Sequence, residues 1–151
     1  MLACQVSFAQ DIGVAWMGQS GMANAVLVGV QDRLKEIAPS IRLDIHGELG
    51  SLEEMDAVVN KFASEKKAGQ IILRSSGSVY LKDYPPSIPS FIGGNNHPVK
   101  LGTIKSMQSP EGLVTGVTYY VPIVDTIESF MLLHPYMDSI LLLSSLEETG
   151  R

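Results

Sequence analysis

The sequence predicts an α/β fold: a flavodoxin-like parallel sheet of strand order 2-1-3-4-5 with helices on both faces. Three observations carry the prediction. Apolar runs of strand length alternate with stretches of helical periodicity, the pattern that builds βαβ crossovers. Glycine, proline and polar clusters punctuate the runs. No internal repeat or low-complexity linker divides the chain, and its 151 residues suit one domain, since a chain of this size buries roughly 68–70% of its unfolded surface.

Residues 12–17, IGVAWM, form an apolar run suited to a strand buried on both faces. Gln19, Ser20 and Gly21 break it. Val26, Val30, Leu34 and Ile37 then recur at helical spacing and gather on one side of a helix, which Pro39 stops. Ile41, Leu43 and Ile45 alternate with Arg42, Asp44 and His46, as in a half-exposed strand at the sheet edge. Ser51 opens the next helix as a capping box with Glu54, each side chain meeting the other's amide. Leu52, Met55, Val59 and Phe62 form its buried stripe.

Ile71, Ile72 and Leu73 make the third strand, which ends at Arg74 and is followed by a Ser75, Ser76, Gly77, Ser78 loop. The fourth strand is expected over 88–92, closed by Gly93, Gly94, Asn95 and Asn96. From Val99 the pattern reads as a helical stretch, a glycine-punctuated turn, a short apolar strand, a helix begun by Pro122 and a sixth strand over 140–143. The first strand is expected near the centre of the sheet.

Composition narrows the function classes. Hydrophobic residues make up 45% and charged residues 18% of the chain, the balance of a folded domain. A net charge of −5 argues against a nucleic-acid partner, which needs a basic face. No apolar run approaches the ~20 residues of a membrane-spanning helix. Cys4 is the sole cysteine, so an intrachain disulfide, a cysteine zinc cluster and a CxxC pair are all excluded.

Residues 1–10, MLACQVSFAQ, end in the small residues of a secretory signal while lacking its basic start. They read as the remainder of an export signal, or as a partial lipoprotein box with Cys4 bearing the lipid, or as a disordered extension. An extracytoplasmic, periplasmic location with an optional lipid anchor is the expectation. The ligand-binding lobe is assigned to 11–138.

In a doubly wound sheet the ligand crevice lies beyond the carboxyl ends of the strands. The loops expected there are 19–22, 75–78, 93–98 and 118–122, rich in hydroxyl, amide and glycine groups. The candidate ligand-binding residues are Gln19, Arg74, Ser75, Ser76, Gly77, Asn95, Asn96, His97, Thr118 and Tyr119. Arg74 is the sharpest, because a guanidinium at a strand tip can hold a carboxylate in a bidentate fork; the alternative is a plain ion pair. Trp16 could stack on a ligand, but a tryptophan in a buried strand favours the core. His46, His97 and His134 lack metal-ligand spacing, so no metal and no cofactor is expected. Glu53, Glu54 and Asp56 oppose a helix dipole at its first turn, which is preferred over a catalytic carboxylate pair.

From residue 12 to about residue 146 the chain resembles the N-terminal lobe of the periplasmic substrate-binding proteins of ABC transporters, in the uncharacterised-transport branch with tryptophan- and aromatic-amino-acid-binding members. The segment SPEGLVTGVT over 109–118 is similar to that family's K-P-G-G-N-V-T-G-V-S. Ile88 and Pro89, followed by Pro98, match its I-P-x-V-F-x-x-V-T-D-P, and Pro122 and Pro135 fall where its helix begins and ends. Departures fall at the site: Asn96 and His97 replace Thr-Asp, Thr118 and Tyr119 replace Ser-Asp, and Arg74 and Ser75 replace a small residue and threonine. The resemblance implies one lobe of a type I periplasmic binding fold, with 139–151 as the crossover into a second lobe.

It also implies a solute-binding component of an ABC importer, with a small amino-acid-like or carboxylate ligand and an ABC permease as partners. A homodimer through the exposed crevice is a further expectation. The alternative is the extracytoplasmic sensing domain of a signalling receptor. An enzyme is disfavoured: GxSxG, a P-loop and GxGxxG after a strand are missing, and a phospho-receiver would want acidic residues where Ala15, Trp16 and Met17 stand.

Overall fold

The computed structural model describes residues 11–141. In chain order the elements are β1 (Asp11–Met17), α1 (Gly21–Ile37), β2 (Arg42–Leu49), α2 (Leu52–Ser64), β3 (Gly69–Leu73), α3 (Arg74–Asp83), β4 (Ser90–Asn95), β5 (Val114–Thr118) and α4 (Ile123–Leu133). The strands form one sheet of order β2-β1-β3-β4-β5, and every adjacent pair is parallel. This is the order the sequence predicts. β1 lies inside the sheet, β3 holds the central position, and β2 is an edge.

Period-two alternation divides the core into two layers. Val14, Trp16 and Leu73 point to the α1 face, packed with Ala23 and the half-buried Val26, Leu27, Leu43 and Ile71. Ala15, Ile72 and Ile92 point to the other face and pack with Met55, Val59 and Phe62 of α2 and Tyr80 and Leu81 of α3. Trp16 is 3% exposed, a core residue as expected. Two glycines make these layers fit: a β-carbon at Gly13 would collide with the Phe62 ring, and one at Gly47 with the Trp16 indole.

Local chemistry explains the helix starts. Ser20 caps α1 by accepting from the Ala23 amide at 3.1 Å, and Ser51 caps α2 by accepting from the Glu54 amide at 3.2 Å. Each satisfies an amide that has no partner within its own helix. The reciprocal half of the capping box differs from expectation: Glu54 Oε2 accepts from the Gly50 amide at 2.8 Å, one residue further upstream.

Several expected boundaries are corrected. Residues 75–78 are the first turn and centre of α3, where strand-side packing against Ile72 overrides weak helix propensity. β4 runs to Asn95 through Gly93 and Gly94, because the pairing of Asn95 with Thr118 continues the ladder past an irregularity. β2 runs to Leu49, and the stretch after Val99 forms turns and bends in place of a helix. The amphipathic stripes also shorten: Leu52 is 43% and Ile37 60% exposed. Ile140 and Leu141 are not in a strand; the rest of the proposed sixth strand lies outside the described residues, as do the 1–10 segment and Cys4.

Charged groups gather at the amino-terminal edge of the sheet. The Lys67 side chain, 9% exposed, reaches Asp44 and Glu65 at 3.1 Å and Asp11 at 3.7 Å. Asp44 also receives Lys61 at 3.3 Å and His46 Nε2 at 3.0 Å. Burial pushes the Asp44 carboxyl up, but Lys67 and Lys61 more than reverse this and hold it below its ordinary value. Burial likewise pushes Lys67 down, and Glu65 and Asp44 overcome it to raise the amine. This network lies at the opposite end of the strands from the polar loops.

Candidate functional site

The carboxyl ends of the five strands meet around a cleft of ≈ 560 Å³. Every strand contributes to its wall: Met17 and Ser20 from the exit of β1, Leu52 after β2, Arg74, Ser75 and Ser76 after β3, Asn96 after β4, and Tyr119 after β5. From this rim the cleft continues down α3, along Val79, Tyr80, Asp83 and Tyr84. These positions share one helical face with Ser76, because residues three and four apart are surface neighbours.

Arg74 anchors the rim. Its φ of 70° places a non-glycine residue in the left-handed region, at a cost of about 1–2 kcal/mol. That turn swings the side chain back across the sheet top, where Nη1 donates to the Met17 carbonyl. One guanidinium edge is thereby fixed to the β1 exit. No carboxylate lies within 4.0 Å of it among the described residues, so the simple ion pair considered for Arg74 is not formed.

Hydrogen bonds lock the neighbouring strand tips together. Ser75 Oγ accepts from the Asn96 amide at 3.0 Å, joining the exits of β3 and β4. The Thr118 hydroxyl lies 2.9 Å from the Asn95 carbonyl and 3.0 Å from the Asn96 carbonyl, and accepts from the Tyr120 amide at 3.0 Å. Fully buried Asn95 donates from Nδ2 to the Val117 carbonyl at 2.9 Å. A rim tied in this way is preorganised, which lowers the ordering cost of binding.

Of the ten residues expected at the site, Arg74, Ser75, Ser76, Asn96 and Tyr119 line the cleft. The other five stand elsewhere. Gln19 is exposed beyond the lining, and Gly77 sits within α3, where a β-carbon would lie 2.5 Å from Ile72 Cγ2. Asn95 and Thr118 brace the strand tips. His97 packs its ring against Tyr120 at 4.7 Å.

The sequence reading missed the α3 wall. Tyr80 and Tyr84 stack with ring centroids 4.9 Å apart, and the Tyr80 hydroxyl donates to Asp56 Oδ1 of α2 at 2.9 Å. Burial and the adjacent Asp56 carboxylate push the Tyr80 phenol far up, so it stays a donor at neutral pH. The signal was the spacing of Ser76, Val79, Tyr80, Asp83 and Tyr84, legible only once 75–78 is read as helix. A second hollow of ≈ 750 Å³ lies on the α1 face beside Val26, Val30, Ile71, Phe91 and Leu113; it is lined chiefly by apolar groups and lacks the converging polar groups of the rim.

Sheet order and rim together define a class: a parallel α/β lobe with a preorganised crevice across the carboxyl ends of its strands. Solved structures share this fold. An ABC domain in complex with L-Trp from Streptococcus pneumoniae aligns with a TM-score of 0.71 at 18% identity, over 85% of this chain and 44% of that one. A ligand-free, open substrate-binding protein with adhesive properties from Clostridium difficile aligns with a TM-score of 0.73 at 20% identity, over 84% and 44%. A conserved domain protein from Vibrio cholerae gives 0.71 at 17% identity, over 85% and 45%.

The chain thus has the flavodoxin-like fold of one lobe of substrate-binding proteins and spans less than half the length of the structures it matches. No family model and no curated protein matches the sequence.

Proposed function

We propose that this chain is a solute-binding lobe that holds a small amino-acid-like or carboxylate ligand at the carboxyl rim of its sheet, as the binding component of an ABC importer. The observation that carries the reading is the convergence of all five strand exits on one cleft, with Arg74 presenting guanidinium N–H groups that no carboxylate of the described chain occupies. A charged donor at such a site gives a strong, directional bond to a carboxylate. The fold shared with substrate-binding proteins supports the same role, and the resemblance over 109–118 supports the transport assignment. An ABC permease is the partner this assignment requires.

The lining of the cleft supports a binding role. Among the described residues its serines have no histidine beside them in the lining, the base that commonly activates a hydroxyl nucleophile. No helix among the described residues is long and apolar enough to cross a membrane, which is consistent with a binding lobe in the periplasm or held there by a lipid on Cys4. Exposed Val121, Ile123 and Val124 beyond the β5 exit supply an apolar surface against which a second copy can close the crevice. A receptor's sensing domain would use the same lobe.

The test is a ¹H–¹⁵N NMR titration of the chain with free amino acids and small carboxylates. Amide shifts clustered on residues 74–76, 96 and 119 are expected. Shifts confined to the α1 face, or none for any carboxylate at millimolar concentration, refute the assignment.

A further inference from the structure

Among the described residues, the charged ones that line the cleft are Arg74 and Asp83. They stand at the first and last positions of α3, nine residues apart, which is roughly 13.5 Å along the axis at 1.5 Å per residue. Between them the wall is Ser76, Val79 and the stacked Tyr80–Tyr84 pair. Asp83 has Lys82 Nζ 3.6 Å away, with both side chains about half exposed; such a surface pair is weak and leaves the carboxylate available. Ser76 lines the cleft, and its buried Oγ has no hydrogen-bond partner, a polar group left unsatisfied at the wall.

We infer that the ligand of this site is an elongated zwitterion of tri- or tetrapeptide size, its carboxylate on Arg74 and its ammonium on Asp83. The inference rests on the binding reading above and sets its substrate class. The spacing decides against a free α-amino acid, whose ammonium and carboxylate sit on one carbon and meet one end of the cleft only. An extended peptide advances roughly 3.3–3.6 Å per residue, so about four residues span the axial separation. A tri- or tetrapeptide is therefore the size that matches the wall. Its backbone amides then run past Ser76, and its central side chains lie on the aromatic wall, where apolar and π contacts add affinity without strict sequence choice.

The experiment compares alanine, trialanine, tetra-alanine, N-acetyl-tetra-alanine and tetra-alanine amide by NMR titration of the wild-type chain and of Asp83→Asn. Asp83 is exposed, so the substitution leaves the fold intact, and the amidated peptide probes Arg74 without altering it. Tetra-alanine is expected to bind at least ten-fold more tightly than alanine, with shifts running from residue 74 to residue 84. Acetylation should weaken wild-type binding several-fold and leave Asp83→Asn binding unchanged, while amidation weakens both. Alanine binding as tightly as tetra-alanine, or acetylation costing the same in both proteins, overturns the inference. If single amino acids shift the rim and no peptide does, the peptide class falls and the binding lobe stands; silence from every probe removes both.

Discussion

Replacing Arg74 by glycine and, separately, by alanine separates what this residue does for the fold from what it does for the site. Both changes remove the donor to the Met17 carbonyl, a charged hydrogen bond worth about 1.5–3 kcal/mol at most. Glycine also relieves the strain of φ 70°, about 1–2 kcal/mol, against roughly 0.5–1 kcal/mol of added unfolded-chain entropy. The net cost of Arg74→Gly is about 1.5 kcal/mol. Alanine keeps the strain, so Arg74→Ala falls about 1 kcal/mol below the glycine variant. Urea unfolding followed by circular dichroism resolves this difference, since unchanged m-values make midpoint shifts a direct reading of stability. Carboxylate binding should fall at least ten-fold in both variants. Alanine equal to or more stable than glycine would refute the strained backbone, and retained affinity would refute the role of the guanidinium.

Three further outcomes follow from the packing and charges. Gly13→Ala drives a methyl into the Phe62 ring and should cost about 1–3 kcal/mol; Phe62→Leu in the same chain should recover part of that, and strict additivity in urea unfolding would show that the two sites do not touch. Asp44, whose folded-state pKa is depressed by Lys67 and Lys61 against the opposing effect of burial, stabilises the fold above its ordinary pKa near 3.8, and that contribution is lost as pH falls through the lower folded value. Urea midpoints measured from pH 6 to pH 2 should therefore fall less steeply for Asp44→Asn than for the wild type. Tyr80→Phe removes the bond to Asp56 and should destabilise by about 1 kcal/mol; in the wild type one of the five tyrosines should resist ionisation in an alkaline absorbance titration, and that resistant group should vanish in the variant.

The sheet was legible because its signals are local and strong. Alternating apolar runs, Ser20 and Ser51 as caps, and Pro39 as a stop each act within a few residues, and parallel connections leave few topologies to choose among. The α3 wall was not legible for a physical reason. Ser75, Ser76, Gly77 and Ser78 have weak helix propensity, and what makes them helical is tertiary: Gly77 lets the helix lie against Ile72, and Ser78 is fully buried. Half of the rim residues could be named from position after a strand, because a parallel sheet delivers strand exits to one edge. Asn95 and Thr118 carry the same residue chemistry yet serve as braces, and only their cross-strand bonds reveal it. Asp83 and Tyr84 sit at the far end of a helix the sequence had concealed.

Trp16, the chain's sole tryptophan, is sealed beneath α1 and against Gly47, and it takes no part in the cleft wall. Its fluorescence should therefore be blue-shifted in the native state and move to the red when the α1 layer opens, while a solute entering the rim leaves its colour unchanged. Tyr80, Tyr84 and Tyr119 border the cleft instead. One molecule thus carries two separate optical channels, an indole that reports folding and phenols that report occupancy, so a single spectrometer can tell loss of ligand from loss of structure.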